Sequence, residues 1–470
     1  MVMVVLAVIA LAGLYVGNKR LQVESFKNEK ISFYYRDTLD LNVLFPAYRS
    51  YNVRIDTSCS AVIFGRKLYF EKPEKILLSD IKIPVAFQKG GDKRSQDIYV
   101  RCWKDSVYQL AEVTEHPLWE GSKLKYYYDA LKTRLGYDAK PTVVGKGDTL
   151  FSTLNGNLCM FYKNNKMQCG SLELESPNFN QVMGGGNFLF LRTNNKLYVS
   201  TDDFISSKLI YDDRRGIKES MYWNSEKGTL VYSMYTPGKV RKRHYLLEYN
   251  PSTQTTDTIQ TFYTTAEHDS LGLMPFCRHI HLICKDPYTG DLYVGTGDSD
   301  EESAVYRSSD GGHHLQRIGG GSQMWRTLSF FFTKDYVFWT TDSDHPQYIS
   351  RLHRDTLTNC PVPDTIVTRY PLFNSALWCN IKINDNFYLL GSNSEGSYYD
   401  DFHRIYGLQF SSDGIPTVYS LIEEKSIPHK GGTVKFHQIH PLCKDYNNFI
   451  WCYDNELGIR KFMIEKKKDK

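Results

Sequence analysis

Two stretches of this chain, RHIHLICKD at 278–286 and HQIHPLCKD at 437–445, repeat one another in the order and type of their residues. Their central histidines, His281 and His440, are 159 residues apart, which is three steps of about 53 residues. Each stretch is followed by a strand-like run that ends in a polar, acidic turn: DLYVGTGDSDEES at 291–303 and FIWCYDNELG at 449–458. The same second element recurs as LYVSTDDF (197–204), YVFWTTDSDHP (336–346) and, in related form, FYLLGSNSEG (387–396). A third run follows several of these turns, as in AVYRSSDGG (304–312), YISRLHRDT (348–356), HRIYGLQFSSDG (403–414) and IRKFMIEKK (459–467). A shorter fourth run follows most of them.

A unit of four short strands in roughly 45–55 residues cannot cover its own two faces. Successive units cover each other, and a ring leaves no open end. The reading is therefore all-β: a β-propeller of six to seven four-stranded blades over residues 141–470. Unit starts near Pro141, Gly184, Glu219, Cys277, Met324, Ser375 and Val434 favour seven. The composition agrees, with 34 Tyr, 25 Phe and 7 Trp supplying β-prone aromatic residues. Residues 21–140 carry strand-like runs with little repeat signal. They are read as a small β-rich segment packed on the propeller, with one short helix over Tyr126–Leu135.

Residues 1–20 form a separate element. Met1 to Val16 is apolar all round and is followed by Lys19-Arg20, which predicts a hydrophobic helix at the lower limit of a membrane span. We expect export, with an uncleaved transmembrane anchor in preference to a cleaved signal: an extracytoplasmic body at the cell surface or in the periplasm, secreted if the segment is cleaved. The ten cysteines include no Cys-x-x-Cys pair, so zinc ribbons and thioredoxin-like chemistry lack support. Cys159 and Cys169 face each other across a predicted hairpin, and most of the others read as small buried hydrophobes. With 57 basic and 53 acidic residues the net charge is +4, which argues against nucleic acid as a partner.

The segment VYRSSDGGHHLQRI (305–318) resembles the Asp-box of sialidase-like β-propellers through Ser308, Asp310 and Gly312. FSSDGIPTVYSL (410–421) is a degenerate second copy through Ser411, Asp413 and Gly414, and STDDF (200–204) a weaker third. The resemblance implies the propeller fold. The motif is a folding device between third and fourth strands, in which the Asp accepts backbone N–H groups within a tight turn. The family's Arg-Ile-Pro segment is absent, so sialidase activity is not carried over.

Blade geometry brings the start of each first strand and the loop after each second strand to one rim. This predicts a shared mouth built from His279, His281, Asp298, Arg326 and Asp342 as candidate catalytic groups. Arg278, Trp325, His345, His437, His440, Asp454 and Arg241 are the candidate ligand-binding groups. His279 and His281, two apart on a strand, point the same way. That spacing suits an acid/base pair or a metal chelate. No cofactor is assigned; a divalent metal is compatible with the pair but not favoured. Asp298 to Glu302 reads as a solvated acidic turn. Arg326 suits a substrate carboxylate. The function expected is recognition of a poly- or oligosaccharide at the channel mouth by a membrane-anchored propeller, with rim Tyr and Trp stacking on sugar faces. A glycoside hydrolase or uronide lyase at the same rim, and a protein-interaction platform, are the alternatives. No Gly-rich phosphate loop, HExxH helix or Gly-x-Ser-x-Gly elbow occurs.

Overall fold

The computed structural model describes residues 31–34, 38–55, 61–70, 81–101, 108–113, 144–146, 149–154, 157–162, 167–173, 181–193, 196–202, 204–212, 221–234, 242–342, 348–371, 376–393, 402–425, 438–444, 449–454 and 458–466. The apolar run 1–16 and the helix expected at 126–135 lie outside these residues. Among the described residues no helix is long and apolar enough to cross a membrane.

The chain divides into two compact units, one of residues 1–105 with 397–400, the other of 106–396 with 401–470. The smaller is β-rich. Asp92–Arg101 pairs in parallel with Ile31–Tyr34 and antiparallel with Ile81–Lys89, which pairs in turn with Asn52–Ile55. A second sheet joins Thr38–Asp40, Lys67–Phe70 and Ala61–Phe64. Leu41, Phe45, Leu68, Ile83, Val85 and Phe87 are buried in this unit.

The larger unit is a succession of antiparallel sheets in chain order, five of four strands and a last of eight in which Phe387–Asn393 also pairs with Gln438–Lys444, a propeller-like arrangement among the described residues. The fourth sheet is His279–Lys285, Leu292–Gly297, Ala304–Ser308 and Gln316–Gly320. The fifth is Thr327–Phe332, Tyr336–Thr341, Tyr348–His353 and Thr368–Pro371. First strands begin at Val144, Gln181, Met221, His279, Thr327, Ala376 and Gln438. Each touches the first strand of the next unit, and Gln438–Lys444 touches Val144–Lys146, so the contacts run in a cycle. In the last unit, Gln438–Lys444, Phe449–Asp454 and Gly458–Lys466 are joined by Tyr108–Glu112 as the outer strand, with Leu110 opposite Ile464. A boundary at 140 assigns this strand to the N-terminal segment, yet its pairing belongs to the far end of the sequence. Arg460 fixes it, donating to both carboxylate oxygens of Glu112 at 2.9 and 2.8 Å and to Glu424 at 2.8 and 2.7 Å.

The apolar clusters sit between successive sheets, which is why many strands read as unbroken hydrophobic runs. Between the fourth and fifth, Leu282, Tyr293, Val305 and Ile318 meet Phe330, Phe332, Val337 and Trp339. Between the third and fourth, Val231, Leu246 and Phe262 meet Ile280, Val294 and Tyr306. A buried polar link reinforces the contact between the fourth and fifth sheets. Asp286, with no exposure, pairs with Arg354, whose guanidinium also donates to the Thr333 carbonyl at 3.2 and 2.8 Å.

The Ser-x-Asp turns adopt one hydrogen-bond pattern. Ser308 Oγ donates to Asp310 at 2.7 Å and accepts from Gly312 N–H at 2.7 Å, while Asp310 accepts from His314 N–H at 3.0 Å. Ser200 and Asp202 do the same with the N–H groups of Phe204 (2.8 Å) and Ser206 (2.9 Å). Ser411 Oγ likewise bonds Asp413 and accepts from Ile415 N–H at 3.0 Å. Cys159 and Cys169 are paired in register across their hairpin. Cys277 is a buried free thiol, Cys452 is buried, and burial pushes the half-buried Cys284 thiol up to about 12.

Candidate functional site

The site forms where the first strands of the fourth and fifth sheets begin and their second strands end. In the fourth sheet, His279 pairs with Gly297 and Ile280 with Thr296, but Leu282 pairs with Gly295, so His281 is the extra residue of a β-bulge. A bulge re-aims its side chain, and here both histidines are turned to the same carboxylate. Asp298 follows Gly297 directly. The turn that positions it is held by Ser303 N–H and Oγ donating to the Ser299 carbonyl at 3.0 and 2.6 Å and by Thr296 Oγ1 donating to the Glu302 carbonyl at 2.7 Å.

Four nitrogen-bearing side chains converge on Asp298. Arg278 Nη1 and His279 Nδ1 each lie 3.2 Å from Oδ2. His281 Nε2 lies 3.3 Å and Arg326 Nη2 3.4 Å from Oδ1. The histidines form a buried floor; Asp298, Arg278 and Arg326 keep between a fifth and a third of their side chains exposed. Burial alone would raise the Asp298 carboxyl, but hydrogen bonds and charge from His279 and His281 outweigh it and hold the group well below the usual carboxylate range.

The fifth sheet supplies the second wall. Arg326 Nη2 reaches Asp342 at 2.9 Å, and Asp342 N–H donates to the Arg326 carbonyl at 2.8 Å. Gln323 ties the two sheets together, donating to the Asp298 carbonyl at 2.9 Å. His281 Nδ1 faces the Thr327 carbonyl at 3.2 Å. A carbonyl accepts only, so Nδ1 carries a proton. Gly297 makes room for the arrangement, since a Cβ there would lie 2.6 Å from His281 Cε1 and 2.9 Å from Arg326 Cγ.

Six expected residues thus come together: Arg278, His279, His281, Asp298, Arg326 and Asp342. Trp325 does not join them. Its ring is fully buried, stacked on Trp339 at 5.1 Å, with its N–H donated to Asp364 at 2.8 Å. Its hydrophobic area drives it beneath Gly319, where any Cβ would overlap the indole. Glu302 is not a solvated turn residue either: it is buried and accepts hydrogen bonds from Thr265 Oγ1 and, at 3.1 Å, Ser299 Oγ. Arg241, His345 and His437 lie outside the described residues. His440 and Asp454 are described by backbone alone, with His440 opposite Tyr453 and Asp454 opposite Ile439. The bulge of that strand falls at Leu442 rather than at His440, so the two repeat copies are out of step.

Sequence reasoning missed Gln323 and His244. His244 is fully buried, its ring 6.1 Å from that of His279. The basic run before it was the available signal, and its Arg243 pairs with Glu267 at 2.6 Å. A separate polar cleft of about 400 Å³ opens at the opposite end of the strands, between Asn224–Lys227, Lys285–Gly290 and the Ser308–Asp310 turn. It shares no lining residue with the Asp298 cluster.

No protein-family model and no curated protein matches this sequence. Among solved structures, streptogramin B lyase is similar at 10% identity and a TM-score of 0.45, over 76% of this chain and 97% of its own. An ancestral GH74 enzyme is similar at 13% identity and a TM-score of 0.44, over 67% of this chain. The match spans less than half of that enzyme's length, 44%. The extracellular domain of a one-component system from B. thetaiotaomicron is similar at 13% identity and a TM-score of 0.43, over 75% of this chain and 40% of its own. These are likenesses of propeller-like architecture and carry no activity to this chain.

Proposed function

We propose that this chain is a seven-bladed, Asp-box-type β-propeller that binds an acidic poly- or oligosaccharide at one mouth of its channel. The cyclic contacts of the first strands and the repeated Ser-x-Asp turns support the blade reading. The observation that carries the function is the convergence of Arg278 and Arg326 from adjacent sheets beside two buried histidines. Guanidinium groups recognise carboxylates bidentately. Arg326 Nε is buried with no hydrogen-bond partner among the described residues, and its Nη2 faces Asp298 and Asp342. An uncleaved N-terminal anchor, with the propeller outside the cytoplasm, belongs to the same proposal.

Binding fits the site better than hydrolysis. A glycosidase acid needs a raised pKa; Asp298 is shifted the other way, which leaves it only the ionised nucleophile or base role. The test is a panel of neutral and acidic glycans scored for both binding and cleavage, with Arg278→Ala and Arg326→Ala alongside. Selective binding of acidic glycans, lost in both variants and without product, is the expected result. Product formation would move the reading to the lyase or hydrolase; binding to none, or equal binding in the variants, would defeat it.

A further inference from the structure

We infer that His279, His281 and Asp298 form a binding site for one first-row divalent transition metal, of the zinc class. The inference stands independently of the glycan reading. One ring nitrogen of His279, one of His281 and an Asp298 oxygen all lie within 4.8 Å of one another, and His279 Nδ1 and His281 Nε2 are the nitrogens that face the carboxylate. This is the one such trio among the described residues. Two imidazoles and one carboxylate is a donor set that selects first-row metals over calcium or magnesium.

The geometry of each histidine–carboxylate contact suits a shared ion. The two separations are 3.2 and 3.3 Å. A metal about 2.1 Å from both donors would subtend an angle of about 100° at either spacing, between the octahedral and tetrahedral values. Two nitrogens about 2.1 Å from one ion at such an angle stand about 3.2–3.4 Å apart, so imidazole atoms that lie within 4.8 Å of each other close by up to about 1.5 Å to share it.

The surroundings supply what such ligands require. His281 Nδ1–H donates to the Thr327 carbonyl at 3.2 Å, the outer contact that fixes a metal-bound imidazole in the tautomer whose Nε2 lone pair ligates. With Nδ1 so protonated, Nε2 and the Asp298 oxygen are two lone pairs facing each other at 3.3 Å. Either a second proton or a cation must lie between them. Arg278 and Arg326 grip the same carboxylate from outside, at 3.2 and 3.4 Å, and orient it. Asp298 is partly exposed, so an ion has access from solvent and keeps open positions for water or a ligand carboxylate. The two arginines offset Asp298 and Asp342, so imidazole donation rather than negative charge must hold the ion.

The test uses the full chain, stripped with chelator and titrated with Co²⁺ in the absence of glycan. The visible d–d spectrum reports uptake, and X-ray absorption on the loaded wild type reports the ligands. One Co²⁺ per chain, two imidazole nitrogens in the scattering, and at least about 100-fold weaker uptake in His279→Ala and Asp298→Asn are expected. No stoichiometric uptake, scattering without imidazole, or undiminished uptake in a folded His279→Ala/His281→Ala double variant would overturn the inference. Because X-ray absorption reads the wild type, a variant that fails to fold does not shelter it.

Discussion

The sharpest structural perturbation is one methyl group at Gly297. Its backbone is outside the left-handed region, so alanine brings no conformational strain and any effect is steric. The new Cβ would stand 2.6 Å from His281 Cε1 and 2.9 Å from Arg326 Cγ. Ordinary carbon contacts begin near 3.4 Å, so the imidazole must retreat by about 0.8 Å and the arginine stem by about 0.5 Å. His281 is buried between the Thr327 carbonyl and Asp298 and cannot retreat without lengthening one of those contacts. Overpacking of this kind costs about 1–3 kcal/mol. For a unit of this size that lowers the melting temperature by about 1–4 °C. The ligand site should suffer more than the fold, because the two displaced side chains are both Asp298 donors. The assay is calorimetric melting together with Co²⁺ and acidic-glycan titration. Gly91→Ala, where the added Cβ meets nothing within 4 Å, is the control. A Gly297→Ala protein that melts and binds like wild type would refute the packing derived around His281.

Asp286→Asn should destabilise the larger unit by about 3–5 kcal/mol in urea, because it strands the largely buried Arg354 guanidinium between the fourth and fifth sheets. Arg460→Met should cost less, about 1–3 kcal/mol, since Glu112 and Glu424 keep partial contact with water; hydrogen exchange should quicken first in Tyr108–Glu112. Glu267 caps the helix Thr265–Leu271. The Arg243 hydrogen bond, then the Thr264 N–H, lower its carboxyl from 4.5 to about 2. A depressed folded-state pKa stabilises above the unfolded value. That contribution is therefore complete above about pH 4.5 and lost as the pH falls toward about 2, and Glu267→Gln should flatten the acid limb of helix protection measured by NMR.

Much of the architecture was legible because repetition reports topology directly. The RHIHLIC and VYRSSDGG runs fixed which segment is a first strand and which a third, and those strands are found at His279–Lys285 and Ala304–Ser308. The grouping of His279, His281, Asp298, Arg326 and Asp342 followed from strand direction alone. What the sequence hid was side-chain competition and long-range pairing. Trp325 sits next to Arg326 in the chain, yet one enters the core and the other faces Asp298, a choice made by Gly319 and Asp364 far away in sequence. Tyr108–Glu112 carries no repeat signature, because an outer strand needs only to complement the edge of Gly458–Lys466. The bulge at His281 depends on register with Gly295 and Thr296 and has no local signature either.

The central claim is that charged side chains of two adjacent sheets make one ligand site around Asp298. A crystal structure of the chain soaked with an acidic oligosaccharide tests it most directly. The account predicts a sugar carboxylate within hydrogen-bond distance of Arg278 and Arg326. A sugar seated instead in the cleft beside the Ser308–Asp310 turn, with the Asp298 cluster untouched, would contradict it.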